Sequence, residues 1–181
     1  MPDVSQVKEG KGWVSTGNSS HWLWLAGIIL ALDLITKYLA QLWLEPYQPL
    51  EVLPFFNLTL VFNRGAAFSF LSDASGWQRW LFVGLGLVAS VVIIFWLRRL
   101  PRQEKWTAVA LVLVLGGALG NLVERLWQGH VTDFLDVYYR GWHWPAFNVA
   151  DSALTVGIGL FIISSFKAGS GVKVNKERID I

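Results

Sequence analysis

Hydrophobic positions along the chain gather into long runs separated by polar, proline-marked stretches. Trp22 to Leu44, Trp80 to Leu97, Trp106 to Val123 and Asn148 to Phe166 each have about the length that a helix needs to cross a bilayer. The second run carries no charge and ends in the basic, proline-containing stretch Arg98-Arg99-Leu100-Pro101-Arg102. The first is interrupted by Asp33 and Lys37, and the fourth opens on Asn148-Val149-Ala150-Asp151-Ser152. The basic residues before Trp22 and the run to Leu32 allow a cleaved leader. No A-x-A-like site follows and apolar residues continue, so the first run reads as a retained helix.

The connecting stretches differ in kind. Pro46, Pro49 and Pro54 punctuate the first, after which Phe55 to Asn63 is rich in β-branched and aromatic residues. That composition predicts one or two short strands, at the membrane surface or outside it. Residues 128–147 read as a polar, aromatic loop, with Pro145 marking the approach to the fourth helix. The pattern therefore predicts a membrane all-α fold. It is a bundle of four transmembrane helices with a small extracytoplasmic β-containing segment at about residues 45–78, in which the third span can pair with either neighbour.

Composition narrows the function classes. The 181 residues are 54% hydrophobic with a formal net charge of +2, and there is no sustained basic face of the sort that nucleic acid requires. Cysteine is absent, which excludes disulfides, thiolate nucleophiles and cysteine ligands. His21, His130 and His143 are scattered without ligand spacing, so neither a metal nor an organic cofactor is expected.

Charge sets the expected orientation. Lys8 and Lys11, then Arg98, Arg99, Arg102 and Lys105, then Lys167, Lys173, Lys176 and Arg178 fall in the two tails and the middle loop. The alternate loops hold Arg64 and Arg140, with Arg79 at a boundary. The positive-inside rule puts both termini in the cytoplasm. Tryptophans near the ends of the runs fit an interfacial belt. The expected organisation is a cytoplasmic tail at 1–21, a four-span unit at 22–166 and a second cytoplasmic tail at 167–181.

The candidate chemistry lies where the third run ends and the fourth begins. An acid inside a membrane segment is costly and marks function by default, so Asp151 calls for a partner. Asp133 lies just beyond the third helix, on the same side, and Asp151 sits about one turn inside the fourth. Two carboxyls in one poorly hydrated site share a proton, which supplies a general base and a general acid together. Asn121 and Arg125 share one helix face, Asn148 and Asp151 another, and Asn63 and Arg64 come from the outer segment. Asp33 and Lys37, four apart, suit a structural ion pair. Asp151 also suits the positive end of a helix dipole, and position alone does not choose between Asp133 and Asp136. Gly116 and Gly120 form a G-x-x-x-G step that predicts close helix packing.

Five stretches together resemble the motif blocks of bacterial lipoprotein signal peptidases, the signal peptidase II family. They are Asp33-Leu34-Ile35-Thr36-Lys37; Asn63-Arg64-Gly65-Ala66-Ala67-Phe68-Ser69; Gly120-Asn121-Leu122-Val123-Glu124-Arg125; Val131-Thr132-Asp133-Phe134; and Phe147-Asn148-Val149-Ala150-Asp151-Ser152. They occur in the family's order over about residues 22–166. The resemblance implies an aspartyl endopeptidase of the bacterial inner membrane, among membrane lipids; a monomer is expected, though the sequence does not show the oligomeric state. It would cleave diacylglyceryl prolipoproteins before the lipidated Cys, at an active site near the outer face. It also implies Asp133 and Asp151 as the catalytic pair and Asn63, Asn121, Arg125 and Asn148 as substrate-binding or site-shaping residues; Arg64, at a position that varies in the family, and Gly65 are added as site-shaping by their place beside Asn63. Asp33 and Lys37 are implied as structural charges, with no metal. Two positions depart from the family pattern: Glu124 stands where Asp is expected, and Thr132 where Val is common.

Two rival classes remain to be weighed. A proton-coupled transporter would line a path across the bilayer with acids, whereas only Asp33 lies near mid-depth here. A membrane scaffold without chemistry leaves the paired acids unexplained.

Overall fold

The computed structural model describes residues 17–65 and 76–170, the last four of these as backbone only. Lys8, Lys11, Lys173, Lys176, Arg178 and the Ala66–Ser69 part of the second motif block lie outside the described residues. Four helices carry the apolar runs: α1 (Leu23–Trp43), α2 (Trp77–Arg99), α3 (Lys105–Trp127) and α4 (Val149–Ser170). All four are long and apolar enough to cross a membrane. Their outward faces are large and greasy, for example Ile35, Val91, Phe95 and Ile163, as a lipid-facing surface requires.

The third span does not choose between neighbours. In its most apolar window α3 is 56% buried, against 28%, 22% and 17% for α1, α2 and α4, so it is the central post on which the others lean. Small residues let it do so. A side chain at Gly116 would strike Ile29 of α1, one at Gly117 the Ala150 carbonyl of α4, and one at Gly120 the Asp33 carboxylate. The G-x-x-x-G step thus packs against α1 and also makes room for a charged group. At one end of the bundle Ser19, buried ahead of α1, donates its backbone N–H to the Leu97 carbonyl and its hydroxyl to the Leu100 carbonyl. That end carries Arg98, Arg99 and Arg102.

The other end is closed by a four-stranded antiparallel sheet in the order β1 (Pro49–Leu53), β2 (Phe56–Asn63), β3 (Val131–Tyr139), β4 (Trp142–His143). The strands predicted at 45–78 are β1 and β2. The stretch read as a loop at 128–147 supplies the other half of the sheet. Its composition, Val131-Thr132-Asp133-Phe134-Leu135-Asp136-Val137-Tyr138-Tyr139, suits a strand, but two acids at odd spacing break the alternation that marks one. Pairing with β2 satisfies the backbone instead. The turn into β4 uses Arg140 and Gly141, both at positive φ (50° and 81°), which is the twist a two-residue hairpin needs.

Candidate active site

Each element ends where it must to deliver one polar side chain. α3 stops at Gly129, whose φ of 82° is left-handed and whose N–H bonds back to the Arg125 carbonyl. The chain then reverses into β3, which pairs antiparallel with β2 so that Asp133 faces Val61. Asn63, two residues further along β2, is its diagonal neighbour and donates from Nδ2 to Asp133 Oδ2 at 3.0 Å. Asp136, three residues beyond Asp133, lies on the opposite side of the strand. It is held by Asn57 (3.3 Å), Thr59 (3.0 Å) and His143 (2.9 Å), away from the cavity. Strand geometry thus puts Asp133 on the cavity and Asp136 off it.

Asn148 begins α4 and does two things. Its Oδ1 accepts the Asp151 backbone N–H at 2.9 Å while Asp151 Oδ2 accepts the Asn148 N–H at 3.3 Å, a reciprocal cap of the helix start. Its Nδ2 donates to Asp133 Oδ1 at 2.7 Å. One fully buried residue, Asn148, therefore bonds both carboxyls, Asp133 from its side chain and Asp151 from its backbone N–H. Asn121 of α3 donates to Asp151 Oδ1 at 2.8 Å from the other side.

Asp133, Asp151, Asn63, Arg64, Asn121 and Arg125 all line one cavity of about 780 Å³ between the sheet and the ends of α3 and α4 that lie beneath it. Apolar residues complete its wall, including Phe62, Phe147, Leu154 and Val156. Asp133 is 2% exposed, and its pKa is pushed up to about 7, first by burial and then by the charge of Asp151. The amides of Asn63 and Asn148 oppose that rise, because they favour the ionised form.

The remaining predicted residues take supporting places. Arg125 donates to the Gly65 carbonyl at 2.9 Å and lies 4.9 Å from the Phe82 ring centroid, so it anchors the chain just after β2. Gly65 also donates its N–H to Asn63 Oδ1, which fixes that amide's orientation toward Asp133. Asp33 and Lys37 do pair, at 2.8 Å, both buried in the bundle. The pair is part of something larger. Lys37 Nζ also donates to Asn121 Oδ1 at 2.9 Å and lies 3.1 Å from Glu124 Oε2, so one buried cation faces two carboxylates and an amide oxygen. Asp33 Oδ1 accepts the Ala150 N–H at 2.8 Å, in the first turn of α4. Gln41, which the sequence did not single out, donates to Thr132 at 2.6 Å, a bond across elements that no spacing rule reveals. Among the described residues no group of His, Asp and Glu is arranged to hold a metal ion.

A sequence model described as Signal peptidase (SPase) II matches residues 25–167. A lipoprotein signal peptidase of Pseudomonas syringae pv. tomato is 52% identical over 170 residues, covering 93% of this chain and 95% of its own. That of Alteromonas mediterranea is 51% identical over 149 residues, 82% of each chain. A solved bacterial membrane enzyme is similar at a TM-score of 0.77 and 29% identity, over 91% of this chain and 98% of its own. Four spanning helices, a sheet over one end and these matches over most of the length lead to one assignment: the chain belongs to the signal peptidase II family and is a membrane-embedded protease that removes signal peptides from lipoproteins.

Proposed function

We propose that hydrolysis is aspartyl in type, with Asp133 and Asp151 activating water on a diacylglyceryl prolipoprotein and cleaving before the lipidated Cys. The observation that carries this reading is the pair of carboxyls facing one cavity, both bonded to Asn148, Asp133 by its side chain and Asp151 by its backbone N–H. Burial and the neighbouring acid make Asp133 reluctant to release its proton. The ionised partner takes a proton from water as the oxygen attacks the scissile carbonyl. The protonated carboxyl donates a hydrogen bond to the developing oxyanion. On collapse the C–N bond breaks and the leaving amine receives a proton from the pair. No covalent intermediate forms and no cofactor takes part.

Substrate class follows from the cavity wall. Leu154 and Val156 stand on α4, and Val156 is exposed on the outside of the bundle, so an acyl chain in the bilayer can reach the cavity along that helix. The sheet, with Phe62, Asn63 and Arg64 on the cavity side, is suited to cradle the peptide. By loop charge the site lies at the outer face of the bacterial inner membrane, with both termini cytoplasmic. The segments 1–21 and 167–181 serve as cytoplasmic tails and 22–166 as the peptidase unit. One chain supplies every residue named, so a monomer suffices.

The test is the purified protein with a lipidated precursor peptide and with the same peptide lacking its lipid. Loss of the acyl chains is expected to lower kcat/KM on the order of 100-fold or more, given the free energy of burying their methylenes. Cleavage indifferent to lipidation overturns the substrate assignment.

A pH dependence follows from the Asn63 bond. Activity is expected to fall as pH rises through about 7, where Asp133 loses its proton. Asn63→Ala removes a donor that favours the ionised form, so the proton is held to higher pH. The alkaline limb of kcat/KM is expected to move upward; a limb that stays or moves down counts against Asp133 as the proton holder.

A further inference from the structure

Glu124 and Thr132 touch each other. Glu124 is 4% exposed on α3, and Thr132 is fully buried on β3 immediately before Asp133. The Thr132 hydroxyl donates to Glu124 Oε1 at 2.5 Å and the Thr132 backbone N–H to Oε2 at 2.9 Å. Gln41 donates in turn to the Thr132 hydroxyl at 2.6 Å. The same Glu124 carboxylate lies 3.1 Å from Lys37 Nζ, whose bond to Asn121 continues to Asp151. One carboxylate is thus linked to both acids, by the backbone to Asp133 and through Lys37 and Asn121 to Asp151. Yet Glu124 and Thr132 do not line the cavity that holds the acids. Glu124 borders a separate one of about 230 Å³, between α1 and α3, that shares no lining residue with it.

We propose that Glu124 is a positioning residue for hydrolysis, setting the relative placement of Asp133 and Asp151, and that its length is matched to the Thr132 hydroxyl. The proposal rests on the aspartyl reading above. An Asp at 124 is one methylene shorter and gives up the buried Thr132 hydroxyl and N–H; a Val at 132 has no hydroxyl to satisfy. The two positions form a coupled unit in which each suits the other.

The experiment measures kcat, KM and the pH profile for the full chain and for Glu124→Asp, Thr132→Val and the double variant, with a lipidated precursor peptide. Glu124→Asp is expected to lower kcat about 10- to 100-fold with KM within about twofold, because misplacing reacting groups by an ångström costs that order while the cavity wall is untouched. Its alkaline limb is expected to move and to return in the double variant. The double variant is expected to recover at least about tenfold in kcat over Glu124→Asp, the non-additivity that contact predicts. Multiplicative effects, a change confined to KM, or an unaltered Glu124→Asp overturn the proposal. If Glu124→Asp does not fold, recovery of folding in the double variant supports the coupling. A double variant that also fails, beside a Thr132→Val with parental kcat, refutes it. Asp133→Asn and Asp151→Asn run alongside: hydrolysis surviving in either removes the aspartyl reading itself, whereas inert controls with uncoupled effects at 124 and 132 remove only this proposal.

Discussion

Asp133→Asn and Asp151→Asn are each expected to lower kcat by at least about 1000-fold, the upper part of the range for losing general acid–base catalysis. Neither change alters shape. Asp133 lies between the amides of Asn63 and Asn148, and an amide there turns one of two favourable bonds into a clash of donors. Asp151→Asn removes a cap acceptor, a cost of about 1 kcal/mol. Both variants should therefore fold, which thermal unfolding in detergent checks. The Asp133 variant carries a further signature. In the parent, the folded-state value of about 7 lies above the ordinary 3.8, so the folded chain binds the proton more tightly. The associated stability is full below 3.8 and is lost as pH rises through about 7. Over that window the parent should lose stability that Asp133→Asn, having nothing to ionise, retains. Full activity in either variant would end the dyad as an explanation.

Lys37→Met is expected to have the largest effect on folding. Lys37 is 2% exposed and lies between the carboxylates of Asp33 and Glu124, at 2.8 and 3.1 Å. Removing the cation while keeping both acids leaves buried charge uncompensated, a loss of about 3–5 kcal/mol where such pairs have been broken. Methionine fills nearly the same space, so the loss reports charge rather than volume. The folded yield and the unfolding temperature in detergent should both drop sharply. Asp33→Asn added to Lys37→Met should recover part of that stability, since one of the two stranded acids is then neutral. A Lys37→Met protein as stable as the parent would mean that the cluster is solvated, contrary to its burial.

The helices were legible because a bilayer imposes a length and an apolar surface that a sequence displays openly. Asp33 and Lys37 were legible as a pair because a helix brings residues four apart together. The sheet was only half legible. Phe56–Asn63 shows a β-like composition, but Val131–Tyr139 carries buried acids on both sides of the strand, each with its own partners, and so lacks an apolar face to read. Its partner β2 lies about seventy residues away, and no local rule links Asn63 to Asp133. The same limit hid the contact between Glu124 and Thr132. Eight residues apart, they meet only because Gly129 turns the chain back on itself. Arg125 was readable as a candidate one turn beyond Asn121, yet its bond to the Gly65 carbonyl depends on where β2 ends.

The bond from Asp33 to the Ala150 N–H joins the first helix to the last across 117 residues of chain. During synthesis, three helices and the whole sheet have emerged before that bond and the Asn148 bridge can close. A ribosome-bound chain that stops short of α4 therefore holds Asp133 without its partner acid. If the two acids act together as proposed, the protease is inert while it is being made, and its own unfinished membrane segments are safe from it until the last helix enters the bilayer.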